Sequence, residues 1–326
     1  MNRSSMRSKS RMIWHSNAID RTAAAISGKM AHGASIYPPT SHPMENNPFA
    51  GSGTEIPVVR LPPTDGPFRH RAARFRQWAD SRSSLAGYLN LMADLADVQH
   101  GLWEMAAATL PRDRSGQPGN PGWRATLRSI VDRLNPGEAG LASLLDRIRR
   151  ATDEELAAWG GRVLAGDFDR IEAGIAPLVT AALQVHMTSF ASRLAREEIG
   201  PAQSGTACPV CGSLPVASLL QTGGAVHGLR YLVCGLCGCE WHRPRVQCID
   251  CGSGKDVAYF AIEGLGEAVK AEGCGDCMTY VKIMDRDKDA AIDPFADDIA
   301  SLALDILMAE EGYRRLGVNP LLLPGG

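Results

Sequence analysis

The chain has no cysteine in its first 207 residues, no apolar run close to the ~20 residues that span a bilayer, and no marked excess of one charge. A net charge of −2 argues against a strongly basic protein that binds nucleic acid or an acidic membrane surface through its overall charge. Apolar residues make up 44% of the sequence and charged residues 21%, as is ordinary for a soluble globular protein. A length of 326 residues favours two domains over a single hydrophobic core.

The N-terminal residues 1–53 lack an apolar signal-peptide core and a twin-arginine pair, so the sequence indicates no export signal. The segment carries six basic residues against two acidic ones and is rich in Ser, Met, Pro and Gly. Such a composition is typical of a disordered leader or of a start codon placed too early, and a targeting peptide is the third interpretation. We expect residues 1–53 to lie outside the folded body.

Residues 54–204 carry apolar side chains at the 3.6-residue period of amphipathic helices. Thr152 and Glu155 match a capping box, which predicts a helix start, and Pro177 predicts a kink in the last apolar stripe. The stripes are typical of a bundle core, so we interpret the segment as an all-α domain, and it contains no catalytic motif.

Two polar features of this helical segment are interpreted as structural. His186 fits a packed histidine better than a metal ligand, because no second type of ligand stands beside it. A run of four arginines is interpreted as a solvated helix face. These are Arg69, Arg71, Arg74 and Arg76.

The pattern changes after residue 204, where short β-like runs alternate with Gly-rich turns and predict hairpins. We assign a first four-cysteine module to residues 205–246 and a second to 247–290. Asp293-Pro294 then predicts the start of a helix within the C-terminal residues 291–326. The predicted fold class is α+β, with an N-terminal all-α domain, two tandem four-cysteine modules and a C-terminal helix.

Eight of the nine cysteines form four Cys-x-x-Cys pairs. Positions 208, 211, 234 and 237 recur with identical spacing as 248, 251, 274 and 277. Cys-Gly-Ser closes the opening pair of each copy, at 211–213 and 251–253. An internal repeat of this kind indicates two copies of one structural unit, each with four thiols.

Three chemistries compete for these thiols. Disulfides need an oxidising compartment, for which the chain shows no signal, and the cysteine count is odd. A thioredoxin-like pair needs one Cys-x-x-Cys at a helix N-terminus, whereas these pairs come in twos and precede strand-like sequence. Two pairs on a hairpin suit a closed tetrathiolate metal site, and metal binding would stabilise a module of ~40 residues that has little core. We therefore predict two metal sites.

Cys239, in the stretch CGCEWH, is the cysteine outside the pairs. It could replace Cys237 as a ligand, and His242 could join it. The register of the internal repeat favours Cys237, which leaves Cys239 as a free thiol.

Several stretches together resemble one family, the formate dehydrogenase accessory protein FdhE. They are CPVCGSLPVAS, GLRYLVCGLCGCEWHRPRVQC and EGCGDCMTYVKI, with VVRLPP and YLNLMADLADVQ before them and ADDIASLALDILMAEEGYRRLGVNPLLLPG after them. The similarity covers roughly residues 55–324. It departs at residues 1–53 and at Cys239, because a third thiol is not part of the family's pattern.

The resemblance implies rubredoxin-like modules, in which four thiolates hold iron. On this analogy the ligands of one ion are Cys208, Cys211, Cys234 and Cys237, and those of the other are Cys248, Cys251, Cys274 and Cys277. Zinc stays open as the metal, because both ions accept four thiolates and zinc outcompetes ferrous iron.

The resemblance also implies a cytoplasmic, non-enzymatic maturation factor that binds the catalytic subunit of respiratory formate dehydrogenase. No catalytic residue is predicted. Trp241 and Arg243 are the candidate partner contacts, because Trp and Arg are favoured at interface hot spots. We expect neither membrane insertion nor a nucleic-acid partner.

Two other functions remain open on the sequence. Arg230, Arg243 and Arg245 would give a nucleic-acid-binding zinc ribbon its positive charge. A rubredoxin-type electron carrier would require iron, since zinc does not change its oxidation state.

Overall fold

The computed structural model describes residues 12–15, 57–82, 84–109, 121–135, 137, 139–199, 205–221, 228–263 and 266–322. Within these ranges the helices come first in the chain and the strands that accompany the cysteines follow. The predicted α+β class, with a helical N-terminal part and two four-cysteine clusters after it, is confirmed.

Six α-helices form the described N-terminal part. They are α1 (Phe68–Ser81), α2 (Ala86–Thr109), α3 (Gly122–Arg133), α4 (Ala139–Arg149), α5 (Asp153–Ala165) and α6 (Ile175–Ala191). Every residue of α6 is buried, and α2, α3 and α5 contact it, so α6 is the central helix. No helix in the described ranges has the length and apolar character needed to cross a bilayer.

The helix boundaries test two sequence predictions. The capping box of α5 is confirmed, since Thr152 Oγ1 accepts from the backbone N–H of Glu155 and the Glu155 carboxylate accepts from that of Thr152. The predicted kink at Pro177 is wrong. Because α6 begins at Ile175, Pro177 lies in the first turn, where backbone N–H groups have no intrahelical acceptor to lose.

Nine strands of the described part form one sheet. They are β1 (Met12–His15), β2 (Val59–Arg60), β3 (Pro215–Gln221), β4 (Leu229–Cys234), β5 (Glu240–Arg243), β6 (Val257–Ile262), β7 (Val269–Cys274), β8 (Thr279–Asp285) and β9 (Arg314–Arg315). Their order is β1-β6-β7-β8-β3-β4-β5-β2, and β9 pairs with β8.

The internal repeat of the cysteines is visible in the strands. β3, β4 and β5 form an antiparallel meander, and β6, β7 and β8 form a second one, in which β7 has the place that β4 has in the first. The parallel pairing of β3 with β8 joins the two meanders. The two four-cysteine modules therefore share one sheet.

The predicted single C-terminal helix is divided into α7 (Pro294–Ala300) and α8 (Leu302–Glu310). Asp293 caps α7 as predicted, since its carboxylate accepts from the backbone N–H groups of Phe295 and Ala296. Between the helices, the Ser301 hydroxyl is within hydrogen-bond distance of two α7 carbonyl oxygens, at 2.7 and 3.1 Å. Such local bonds compete with continuation of the helix.

The interpretation of the arginine run as a solvated face is wrong for Arg71 and Arg74, each 3% exposed. Arg74 pairs with Asp297 at 2.6 Å, and Arg71 Nε lies 3.4 Å from Asp293. Both aspartates belong to the start of α7, so the two arginines join α1 to the C-terminal region.

The predicted leader, residues 1–53, lies outside the described residues except for β1. Those four residues pair antiparallel with β6, a pairing that is not expected of a disordered leader. The division into segments 54–204, 205–246, 247–290 and 291–326 stays a prediction.

Candidate metal centres

Each hairpin brings two Cys-x-x-Cys turns together. The first pair of a module precedes the first strand of its hairpin, and the second pair begins at the last residue of the next strand. In the first module Pro215 lies opposite Cys234 across the β3–β4 pairing, and in the second Val257 lies opposite Cys274. Antiparallel pairing therefore returns the chain to its starting point and places four sulfur atoms in one cluster.

Two groups of four thiols result, in each of which all sulfur atoms lie within 4.8 Å of one another. We name them the first centre and the second centre. The first centre comprises Cys208, Cys211, Cys234 and Cys237, and the second comprises Cys248, Cys251, Cys274 and Cys277.

The sulfur spacings suit a tetrahedral ion. In the first centre the Sγ atoms of Cys208 and Cys237 are 3.6 Å apart, and in the second those of Cys251 and Cys274 are 3.7 Å apart. A tetrahedron with metal–sulfur bonds of about 2.3 Å has edges of about 3.8 Å. Four thiolates at such distances repel one another unless a cation lies between them, and soft thiolates suit zinc or iron. The residues present therefore fit the predicted metal.

The turns repeat in detail. Gly212 and Gly252 have φ of +78° and +77°, a conformation that favours glycine, and each follows its Cys-x-x-Cys directly. Backbone N–H groups point at sulfur, with Cys237 N donating to Cys234 Sγ at 3.3 Å and Asp250 N donating to Cys248 Sγ at 3.4 Å. These bonds orient the thiolates as ligands and offset part of their charge.

The thiols of the first centre influence one another's protonation. Burial raises the pKa of Cys234 and Cys237 well above the ordinary range, because it disfavours the thiolate. Hydrogen bonds from neighbouring thiols, chiefly that of Cys211, lower the pKa of Cys208. In the second centre burial raises the pKa of Cys248 to about 12.

Cys239 and His242 do not join either set of four. The Cys239 thiol is buried beside the first centre, and its hydrogen bond with Cys208 raises its pKa. The His242 ring packs edge-on against Tyr231 instead, with ring centroids 5.7 Å apart. That the two sets of four act as metal ligands, with Cys239 a free thiol, stays a prediction.

The candidate partner contacts occupy different environments. Trp241 is 1% exposed and packs in the main core, the larger hydrophobic cluster that the helices share with the first centre, so its ring is not available to a partner. Arg243 is half-buried and donates to the Gly205 carbonyl oxygen at 2.7 Å. Arg230, offered above as a phosphate contact, is fully buried and pairs with Glu272 at 2.6 Å, so it cannot face nucleic acid.

Sequence patterns did not identify Gln184, which contacts the first centre. It lies in α6, is 1% exposed, and donates through Nε2 to the Gly235 carbonyl oxygen between Cys234 and Cys237, at 2.9 Å. The available signal was a glutamine in a helix whose residues are mostly apolar. Nothing in the sequence connects that glutamine to a cysteine turn in a different part of the chain.

These features define an α+β protein in which a helical part is joined to two four-thiol sites on a shared sheet. Family models match in three consecutive parts: "FdhE, N-terminal" at residues 56–203, "FdhE, central domain" at 207–245 and "FdhE, C-terminal domain" at 246–322. The chain belongs to the FdhE family.

Individual relatives agree with this assignment. Protein FdhE of Salmonella dublin is 37% identical over 289 residues, which cover 83% of this chain and 92% of the relative. The FdhE homolog of Cronobacter sakazakii is 36% identical over the same length. The crystal structure of the FdhE protein from Pseudomonas aeruginosa superimposes with a TM-score of 0.74 at 33% identity, covering 83% of this chain and all of that one.

Proposed function

We propose that this protein is a non-enzymatic accessory factor needed for the activity of a respiratory formate dehydrogenase. In this proposal it binds the catalytic subunit of that enzyme in the cytoplasm and carries two metal ions, one in each four-thiol centre. Membership of the FdhE family supports the role. The observation that carries it is the occurrence of two closed four-thiol clusters within that family's framework.

The geometry argues for an ion that does not bind substrate. Four thiolates complete a tetrahedral ion and leave no position for a water or a substrate, unlike the three protein ligands of catalytic zinc. The turn N–H groups and the short hairpins hold the thiolates in place. This supports a binding and maturation role rather than hydrolysis at the metal.

We propose iron as the native metal at both centres, with zinc as the competing ion. Iron would supply one-electron chemistry, which zinc does not. Elemental analysis and a visible spectrum of protein made in iron-sufficient, zinc-limited medium test this assignment. Two irons per chain are expected, and zinc alone in protein from the native host would contradict it.

Arg243 is the partner contact that we retain. Together with Cys248 and Cys251 it lines a cleft of about 330 Å³, so a partner held there would lie directly beside the second centre. Arg243→Ala should therefore weaken capture of the catalytic subunit without lowering metal content. Arg245→Ala, which changes an exposed neighbour outside that cleft, is the matched control.

The role itself is tested in a strain from which the gene has been deleted. We expect formate oxidation to be lost, and to return with the wild-type gene but not with Cys248→Ser/Cys251→Ser. Tagged protein purified anaerobically should retain the dehydrogenase catalytic subunit. Normal formate oxidation in the deletion strain, with no subunit recovered, would contradict the proposal and favour a nucleic-acid-binding zinc ribbon.

A further inference from the structure

The two centres have the same kinds of ligand and the same turns, but their cysteines differ in exposure to solvent. In the first centre Cys208, Cys234 and Cys237 are at most 4% exposed, and Cys211 is half-buried. In the second centre Cys248 and Cys274 are buried, Cys277 is half-buried and Cys251 is exposed. A repeat whose cysteines match position for position therefore buries the first centre more deeply than the second.

The residues between the cysteines explain this difference. The first centre has Pro209-Val210 and Gly235-Leu236 inside its turns, and Leu236 is buried in the main core with the helices. The second centre has Ile249-Asp250 and Gly275-Asp276; Ile249 is buried in the same core, but both aspartates are exposed. Asp250 pairs with Arg314 at 3.3 Å and Asp276 accepts from Ser253, and a charged carboxylate is costly to bury, so these turns of the second centre stay at the surface.

The first centre is also tied to the helical part by hydrogen bonds. Gln184 of α6 donates to the Gly235 carbonyl oxygen at 2.9 Å. Gln184 is itself held, since its Oε1 accepts from Arg71 at 3.3 Å and from Gln99 at 3.2 Å. Opening the turn at Gly235 would break this buried chain.

The second centre is also the more accessible one to a ligand from solvent. The cleft of about 330 Å³ is lined by Cys248 and Cys251, so an incoming ligand can approach the second centre. A cleft of about 220 Å³ near the first centre is lined by Leu236 and Leu214 but by no cysteine. At the first centre only Cys211 is partly exposed, so displacing the other three thiols requires the core to open locally, which costs free energy.

We propose that the second centre gives up its metal ion to competing ligands in solution, whereas the first centre retains its ion as part of the folded core. This inference rests on the two metal centres of the proposed function. Cys251 would be displaced first, as the bond from an incoming thiolate to the ion forms, and the other three thiolates would be displaced in the same way before the ion leaves. Cys251 then takes up the proton that the incoming thiol gave up, so charge and oxidation state are unchanged.

The test uses the full chain loaded with zinc alone and a chromophoric chelator in excess. Zinc release should show two phases of equal amplitude, the faster from the second centre and at least about tenfold faster, which corresponds to about 1.4 kcal/mol in the barrier. Iodoacetamide added with the chelator, followed by peptide mass spectrometry, assigns the phases. Cys248, Cys251, Cys274 and Cys277 should be alkylated in the fast phase, while the four cysteines of the first centre stay protected.

Cys239 is the internal control, because it is buried beside the first centre without belonging to either set of four. It should stay unmodified during the fast phase, which shows that the core has not opened. A single release phase, or alkylation of the first centre together with or before the second, would overturn the proposal. If the chain holds only one ion, protection of the first centre supports the proposal and protection of the second overturns it. None of these readouts depends on formate dehydrogenase, so a failed client assay leaves the result intact.

Discussion

Gln184, at the centre of the helical part, donates a 2.9 Å hydrogen bond to the carbonyl oxygen of Gly235, which lies between two cysteines of the first centre. Gln184 is 1% exposed, and its own carbonyl oxygen accepts from Arg71 and Gln99. The side chain therefore joins α1, α2 and α6 to the turn that carries Cys234 and Cys237. The helical part and the first centre should lose stability together.

Gln184→Met should lower the free energy of unfolding by about 1–3 kcal/mol, because it leaves the buried Gly235 carbonyl oxygen without a donor. Urea unfolding of the metal-loaded protein measures the change. Asn90→Ala, at an exposed position of α2, is the control and should change stability by less than about 0.5 kcal/mol. Equal stabilities for the two variants would show that Gln184 does not support the turn.

Arg74 and Arg76 lie on the same helix and form ion pairs in opposite environments. Arg74→Met should cost about 3–5 kcal/mol, because it leaves the buried Asp297 carboxylate without its cation. Arg76→Met should cost less than about 1 kcal/mol, since its pairs with Asp94 and Asp97 are exposed. Thermal and urea unfolding of both variants give the comparison. Similar losses in the two would contradict the burial argument.

Metal content distinguishes the two cysteines at the end of the first module. Cys237→Ser should empty or weaken the first centre and reduce the metal from two ions per chain to one. Cys239→Ser should leave both ions in place, because Cys239 lies outside the set of four. Elemental analysis of both purified variants measures this. The reverse result would place the ligand at Cys239 and break the register of the repeat there.

Met278 has φ of +52° and occupies the position in the second copy of the repeat that Gly238, with φ of +71°, occupies in the first. An L side chain in this conformation costs about 1 kcal/mol or more. Met278→Gly should therefore raise stability by about 0.5–1 kcal/mol, and the matched change Gly238→Ala should lower it by a similar amount. Unfolding midpoints of the two variants provide the test, and a loss of stability in Met278→Gly would show that the methionine side chain packs favourably.

His186 gives stability a pH dependence of known sign. Burial lowers the pKa of His186 from 6.5 to about 4, because a charged ring is disfavoured there. The unfolded chain therefore binds one more proton between these values, and stability present above pH 6.5 is lost as the pH falls towards 4. The loss should reach about 2 kcal/mol at pH 5.

The comparison variant is His186→Gln, which removes the titrating ring while keeping a side chain able to accept a hydrogen bond from Thr126, whose Oγ1 lies 2.7 Å from Nε2. Between pH 7 and pH 5 the wild type should lose about 2 kcal/mol more than this variant in urea unfolding. Parallel curves would mean that His186 is not responsible. Acid release of metal affects both proteins and cancels in the difference.

The sequence led to the four-thiol sets because their geometry is local. A Cys-x-x-Cys turn places two sulfur atoms side by side whatever surrounds it, and a hairpin of fixed length returns the second pair to the first. The helix caps at Thr152 and Asp293 could be predicted in the same way, since each depends on atoms close by in the chain. Pro177 was misjudged because its effect depends on where α6 begins, and composition does not mark that residue.

The environment of each charge or sulfur atom depended on the tertiary structure. Arg71 and Arg74 resemble any exposed basic residues, and their burial depends on aspartates near the other end of the chain. Trp241 and Arg230 were likewise predicted to contact a partner, but both lie in strands of the sheet and are buried. The internal repeat determined that the two centres would have the same ligands and the same turns. The packing of α6 against Gly235, which no sequence pattern revealed, decided that the first centre is more deeply buried than the second, because burial also depends on residues that lie outside the repeat.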